Sequence, residues 1–188
     1  MPDSLRGQLL IAGRSLRDPN FFRSVVLIVE HGSEGAMGLI INRPSGITVA
    51  QALKQHFDLP ETGEMVHVGG PVENNALFIL HNAEDLDATE KPVLEGTFLG
   101  TSPDTFESVI RRAAEQDPNL KFRVYFGCAG WAPQQLEGEL GRNDWLVYPA
   151  AVEHVFHPEP YAVWEQVLAA YRKSRLPVPG WEGDPGLN

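Results

Sequence analysis

The sequence predicts an α+β protein in which helices surround a mixed sheet rich in antiparallel hairpins, and three observations carry that prediction. Short apolar runs separated by turns fill the first third of the chain. Helical periodicity follows in isolated blocks. The regular strand-helix alternation of a doubly wound parallel fold is missing. At 188 residues, with 43% hydrophobic and 21% charged residues, the chain has the size and composition of one globular domain. That domain is expected to span 1–176, followed by an irregular Pro/Gly-rich tail over 177–188.

Three strands open the chain, Gln8 to Ala12, Val25 to Val29 and Met37 to Asn42, each an apolar run bounded by turn residues. His31 to Gly35 between the second and third has hairpin length and composition. Thr48 with Gln51 forms a capping box, and Ala50, Leu53 and Phe57 recur at helical spacing, which predicts a helix from Thr48 to Phe57. Val66 to Val68, the turn Gly69-Gly70-Pro71 and Ala76 to Leu80 read as strand, tight turn, strand.

Ser102 before Pro103 is a strong helix start, and Phe106, Val109, Ile110, Ala113 and Ala114 continue it to about Gln116. Phe122 to Phe126 reads as a strand and Gly127 to Trp131 as a Gly-rich turn. A short helix over Pro133 to Leu140 follows, then a strand over Trp145 to Tyr148 and a last helix from Glu159 to Tyr171.

Fifteen Lys and Arg against twenty-five Asp and Glu give a formal charge of -10, the wrong sign for general attraction to nucleic acid or anionic lipid. Apolar runs fall far short of the roughly 20 residues that cross a bilayer as a helix. The N-terminus lacks the pattern of a secretory signal. The single cysteine, Cys128, makes no internal disulfide. A cytoplasmic address without membrane contact is expected.

The motifs give no reaction. The Gly127 to Trp131 turn, set before a helix start, offers backbone N–H groups to an anion, but the lysine and hydroxyl of a P-loop are missing, as is GxGxxG. The plainer reading gives the glycines a packing role and Trp131 a place in the core. Cys128 near a helix start has nucleophile chemistry only with a partner base. His31, His56, His67, His81, His154 and His157 show no HExxH or HxH pattern, so no metal and no cofactor is expected. Arg23, Asn42 and Arg43 beside strand ends suit recognition of a carboxylate or phosphate. Gly69 and Gly70 offer either a backbone nest or an ordinary turn.

Taken in order, Leu10-Ile11-Ala12, Asp18-Pro19-Asn20-Phe21 with Arg23-Ser24-Val25, His31, Gly35 to Pro44, Gly69 to Val72, Ala129-Gly130-Trp131 with Gln135-Leu136-Glu137 and Glu139, and Trp145 resemble the bacterial YqgE/AlgH family. The resemblance implies a bacterial cytosolic protein whose partly barrel-like sheet is surrounded by helices, with no established catalytic residues. Members are often called transcriptional regulators. This chain shows no clear helix-turn-helix and has the wrong charge for simple DNA binding, so regulation would be indirect. It departs from the pattern at Cys128, where tyrosine is common, and at Gln134, where glycine is common.

The leading expectation is a regulatory or accessory binding module that recognises a small anionic ligand or a protein partner. Its candidate surface is Arg23, His31, Asn42, Arg43, Gly69, Gly70, Gly130, Trp131, Gln135 and Glu137. The competing expectation is a small hydrolase or group-transfer enzyme using His31, Cys128 or Glu137; a direct nucleic-acid binder is the third and is disfavoured by charge. The sequence leaves the oligomeric state open.

Overall fold

The computed structural model describes residues 4–14, 16–86, 91–100 and 102–176. The expected tail over 177–188 lies outside them. The elements are β1 (Gln8–Ala12), β2 (Val25–Gly32), β3 (Gly35–Ile40), β4 (Pro44–Thr48), α1 (Val49–Leu53), β5 (Met65–Val68), β6 (Val72–His81), β7 (Phe98–Gly100), α2 (Pro103–Ala114), β8 (Phe122–Trp131), α3 (Gln135–Gly141), β9 (Trp145–Pro149), α4 (Val152–Val155) and α5 (Val163–Ser174).

Period-two alternation accounts for the layering. In the first half-sheet, Leu9, Ile11, Val25, Leu27, Val29 and Leu39 face one core, while Leu10, Ala12, Val26, Ile28 and Ile40 face another. Both faces are covered, so the strands read as continuous apolar runs instead of alternating ones. The central core lies between the two half-sheets and receives Trp164, Val167 and Leu168 of α5. Leu136 of α3 covers the outer face of the first half-sheet. Leu53 of α1 with Val109 and Ile110 of α2 cover the outer face of the second.

The sheet path runs β4-β5-β8-β3-β2-β1-β9, with β6 paired to β8 and β7. The pairs β1–β2, β2–β3 and β1–β9 are antiparallel, of which β2–β3 is the expected hairpin, and β5–β8 is parallel. The path does not close on itself, so the sheet is curled but open.

Strand β8 is the joint. Its first half pairs with β5 and β6, and its last residues, Ala129 to Trp131, pair with β3. The expected turn over Gly127 to Trp131 is therefore the second half of a strand. Gly127 at φ +67° permits the change of sheet, and small residues there allow close backbone approach. A Cβ on Gly70 would lie 2.2 Å from the Cys128 carbonyl carbon, and one on Gly69 would lie 2.2 Å from the Gly127 oxygen. The two Gly-rich segments pack backbone against backbone.

Further differences have local causes. The strands around Gly69-Gly70-Pro71 do not pair with each other but flank β8. Helix α1 keeps the Thr48–Gln51 capping box yet ends at Leu53, before the predicted Phe57. The last helix starts at Val163, after a 3-10 turn over Pro160–Ala162. Strands β4 and β7 and the one-turn α4 went unpredicted. Among the described residues no helix is long and apolar enough to cross a membrane.

Candidate functional site

The expected surface residues fall into three groups. Arg23, Asn42 and Arg43 gather at one end of β2 and β3. His31, Trp131, Gln135 and Glu137 gather at the other. Six residue steps along β2, from Val25 to His31, separate these ends by about 20 Å, at roughly 3.3 Å per step. Gly69, Gly70 and Gly130 belong to the β8 joint between them, and no hollow unites the three groups among those described.

At the His31 end the polar atoms satisfy one another. His31 Nδ1 accepts from the Leu5 amide (3.1 Å), so its proton sits on Nε2, 3.0 Å from Glu137 Oε1. The Glu137 carboxyl lies below its ordinary range, first because of its own backbone N–H and then because of His31. Glu139, outside the expected surface, is the hub of the corner. Its Oε2 accepts from the indole N–H of Trp131 (2.9 Å) and of Trp145 (2.7 Å), and its Oε1 from Gln135 Nε2 (3.0 Å). The two indole rings meet edge to face at 6.0 Å although their strands lie four places apart in the sheet path. This clasp holds the curl of the first half-sheet.

Helix α3 begins at Gln135, and the Gln135 side chain takes the Ala132 N–H (3.1 Å) that would otherwise face an anion. Gln134 sits in the left-handed region at φ 62°, where glycine fits with less strain. The Gly69 N–H donates to Phe126 O and its carbonyl accepts from Ile40 N, so this segment spends its polar groups on the fold. Cys128 is buried, and burial first, with Glu73 second, pushes its thiol up to about 11. At neutral pH it carries its proton and lacks nucleophilic character. No group of three or more His, Cys, Asp or Glu suited to a metal occurs among the described residues.

The Arg23 end is built differently. Buried Asn42 accepts from the Val25 amide (2.8 Å) and donates to Arg23 O (2.9 Å), which clamps Arg23 in the left-handed region at φ 52°. The Arg23 guanidinium lies 4.7 Å over the Trp164 ring and reaches Glu165 at 2.9 Å. Arg43 donates to Asn20 O and Phe22 O, and burial lowers its pKa from the ordinary value. These residues, with Phe22 and Tyr161, line a hollow of about 290 Å³. A neighbouring hollow of about 540 Å³ shares Phe22, Arg23, Trp164 and Glu165 and adds Arg14 and Arg172.

Sequence reasoning missed Arg14, Phe22, Tyr161, Trp164 and Arg172. The last helix was expected to end at Tyr171, short of Arg172, and nothing in the sequence places its Trp164 and Leu168 face against Arg14 and Phe22.

A curled α+β sheet of this topology defines a fold class that known proteins share. Residues 9–174 match the AlgH-like family (DUF179), and the chain belongs to that family. A UPF0301 protein of Thioalkalivibrio sulfidiphilus is 37% identical over 166 residues, 86% of this chain and 87% of that one. A UPF0301 protein of Xanthomonas oryzae pv. oryzae is 42% identical over 161 residues, 83% of each chain. The solution structure of the AlgH protein from Pseudomonas aeruginosa superposes with a TM-score of 0.73 at 33% identity, covering 94% of this chain and 92% of that one. A crystal structure from Corynebacterium diphtheriae gives 0.70 at 26% identity, covering 92% and 87%.

Proposed function

We propose that this chain is a non-enzymatic binding module that recognises an anionic partner through the arginine-and-aromatic face at the Arg23 end. The observation that carries the reading is charge placement. Arg14, Arg23, Arg43 and Arg172 line two adjoining hollows in which Glu165 is the one carboxylate among the described residues, a local excess of three positive charges on a chain of net charge -10. Among the described residues no ion pair holds Arg14 or Arg172. Arg23 also occupies a backbone region that costs a non-glycine residue of order 1 kcal/mol, held there by Asn42. Strain retained at a cationic surface fits a binding role.

Against the enzyme reading stand Cys128, buried and protonated, and His31 and Glu137, which are bonded to each other while the second ring nitrogen of His31 takes the Leu5 amide. On the binding reading, any effect on transcription runs through the partner. The test is capture of ligands and proteins from a bacterial lysate by the wild-type chain and by Arg14→Glu/Arg172→Glu, with mass-spectrometric identification. The reading expects a set retained by the wild type at low salt and lost from the variant. Equal retention by both chains removes this face.

A further inference from the structure

We infer that the anionic ligand of this face is a nucleotide, its base laid on the Phe22 and Tyr161 rings and its phosphates on the surrounding arginines; the inference rests on the binding reading above. The rings supply the argument. Phe22 is 68% exposed and Tyr161 75% exposed, and both line the same hollow of about 290 Å³. Neither ring stacks on another among the described residues. Large aromatic surface left in water beside a concave cationic floor is matched by a ligand that is flat at one end and charged at the other.

The floor has the corresponding donors. Arg43 is anchored by two backbone carbonyls and Arg23 by Trp164 and Glu165, so both guanidinium groups are positioned before a ligand arrives. Each has five N–H donors, more than these contacts consume. The hollow of about 540 Å³ continues past Arg23 to Arg14 and Arg172, which gives a phosphate chain somewhere to run. A ligand with carboxylates alone satisfies the guanidinium groups but leaves both rings in water. A nucleotide covers both, with guanidinium forks on phosphate oxygens and rings on the base.

The test is calorimetric titration of the full chain at low ionic strength with ATP, GTP, CTP and UTP in turn, and with inorganic tripolyphosphate. At least one nucleotide should bind more tightly than tripolyphosphate. Tyr161→Ala, a change at an exposed side chain, should weaken that nucleotide at least about fivefold and leave tripolyphosphate unchanged. Arg14→Ala/Arg172→Ala should weaken both by about tenfold. The inference is overturned if no nucleotide binds at millimolar concentration, or if Tyr161→Ala leaves nucleotide affinity intact. Either result spares the broader binding reading where tripolyphosphate, or a lysate partner, is still held in an Arg14- and Arg172-dependent way. Loss of that dependence as well removes both.

Discussion

Replacing Glu139 by leucine removes the acceptor that holds Trp131 and Trp145 together, and the structure sets the size of the loss. Both indoles are buried, at 6% and 2% exposure, and both N–H groups end on one carboxylate oxygen at 2.9 and 2.7 Å. An orphaned buried donor costs about 1–3 kcal/mol, so the two together cost about 3 kcal/mol, with a further small loss from Gln135. For a chain of this size each kcal/mol moves the midpoint by about 2–4 °C, so Glu139→Leu should melt about 6–12 °C lower. Glu139→Gln keeps one carbonyl oxygen for the indoles and should lose only about 1 kcal/mol. Urea unfolding followed in parallel by far-UV circular dichroism and tryptophan fluorescence measures both. A Glu139→Leu chain within about 0.5 kcal/mol of wild type, the range of ordinary surface substitutions, would refute the clasp.

Three other expectations follow from buried groups. Gly70→Ala sets a Cβ against the β8 backbone, which cannot yield as a flexible side chain does, and should cost about 3 kcal/mol or more in urea unfolding; a loss under about 1 kcal/mol contradicts the backbone packing. Burial, and then the charge of Arg123, push His67 down from 6.5 to about 4. Between those values the unfolded chain binds a proton that the folded chain does not, so stability is fully present above about pH 6.5 and falls as pH drops toward 4. From pH 7 to 4.5 the wild type should lose about 2–3 kcal/mol more than His67→Gln, and equal losses would show that His67 titrates normally. Cys128 should react with a thiol reagent at pH 8 at least about a hundredfold more slowly in the folded chain than in urea, and comparable rates would contradict its burial.

Much of the scaffold was readable because its signals are local. Ser102 and Pro103 mark the start of α2, the Thr48–Gln51 box marks that of α1, and the His31 to Gly35 turn gives the β2–β3 hairpin. Gly127 to Trp131 was misread because small residues resemble a turn in sequence. Their reason is a second backbone, at Gly69 and Gly70, that no local pattern announces. Strand β7 has three residues, too few to show a period, and β4 carries Pro44 and Gly46 without alternation.

The site divides in the same way. Arg23, Asn42 and Arg43 lie near one another across the ends of β2 and β3, so sequence reasoning found them together. Arg14 and Arg172 sit near opposite ends of the chain and meet only because α5 packs on β1. Glu139 stood in the family pattern, but its three donors come from two strands and its own helix, a convergence that spacing does not encode.

Hydrogen exchange of the chain alone and with its captured partner tests the central claim most directly. The account predicts slowed exchange confined to residues 14, 16–23, 42–43 and 161–172, with the corner from 131 to 145 unchanged. Protection centred on His31, Trp131 and Glu137, with the arginine face unchanged, would contradict it.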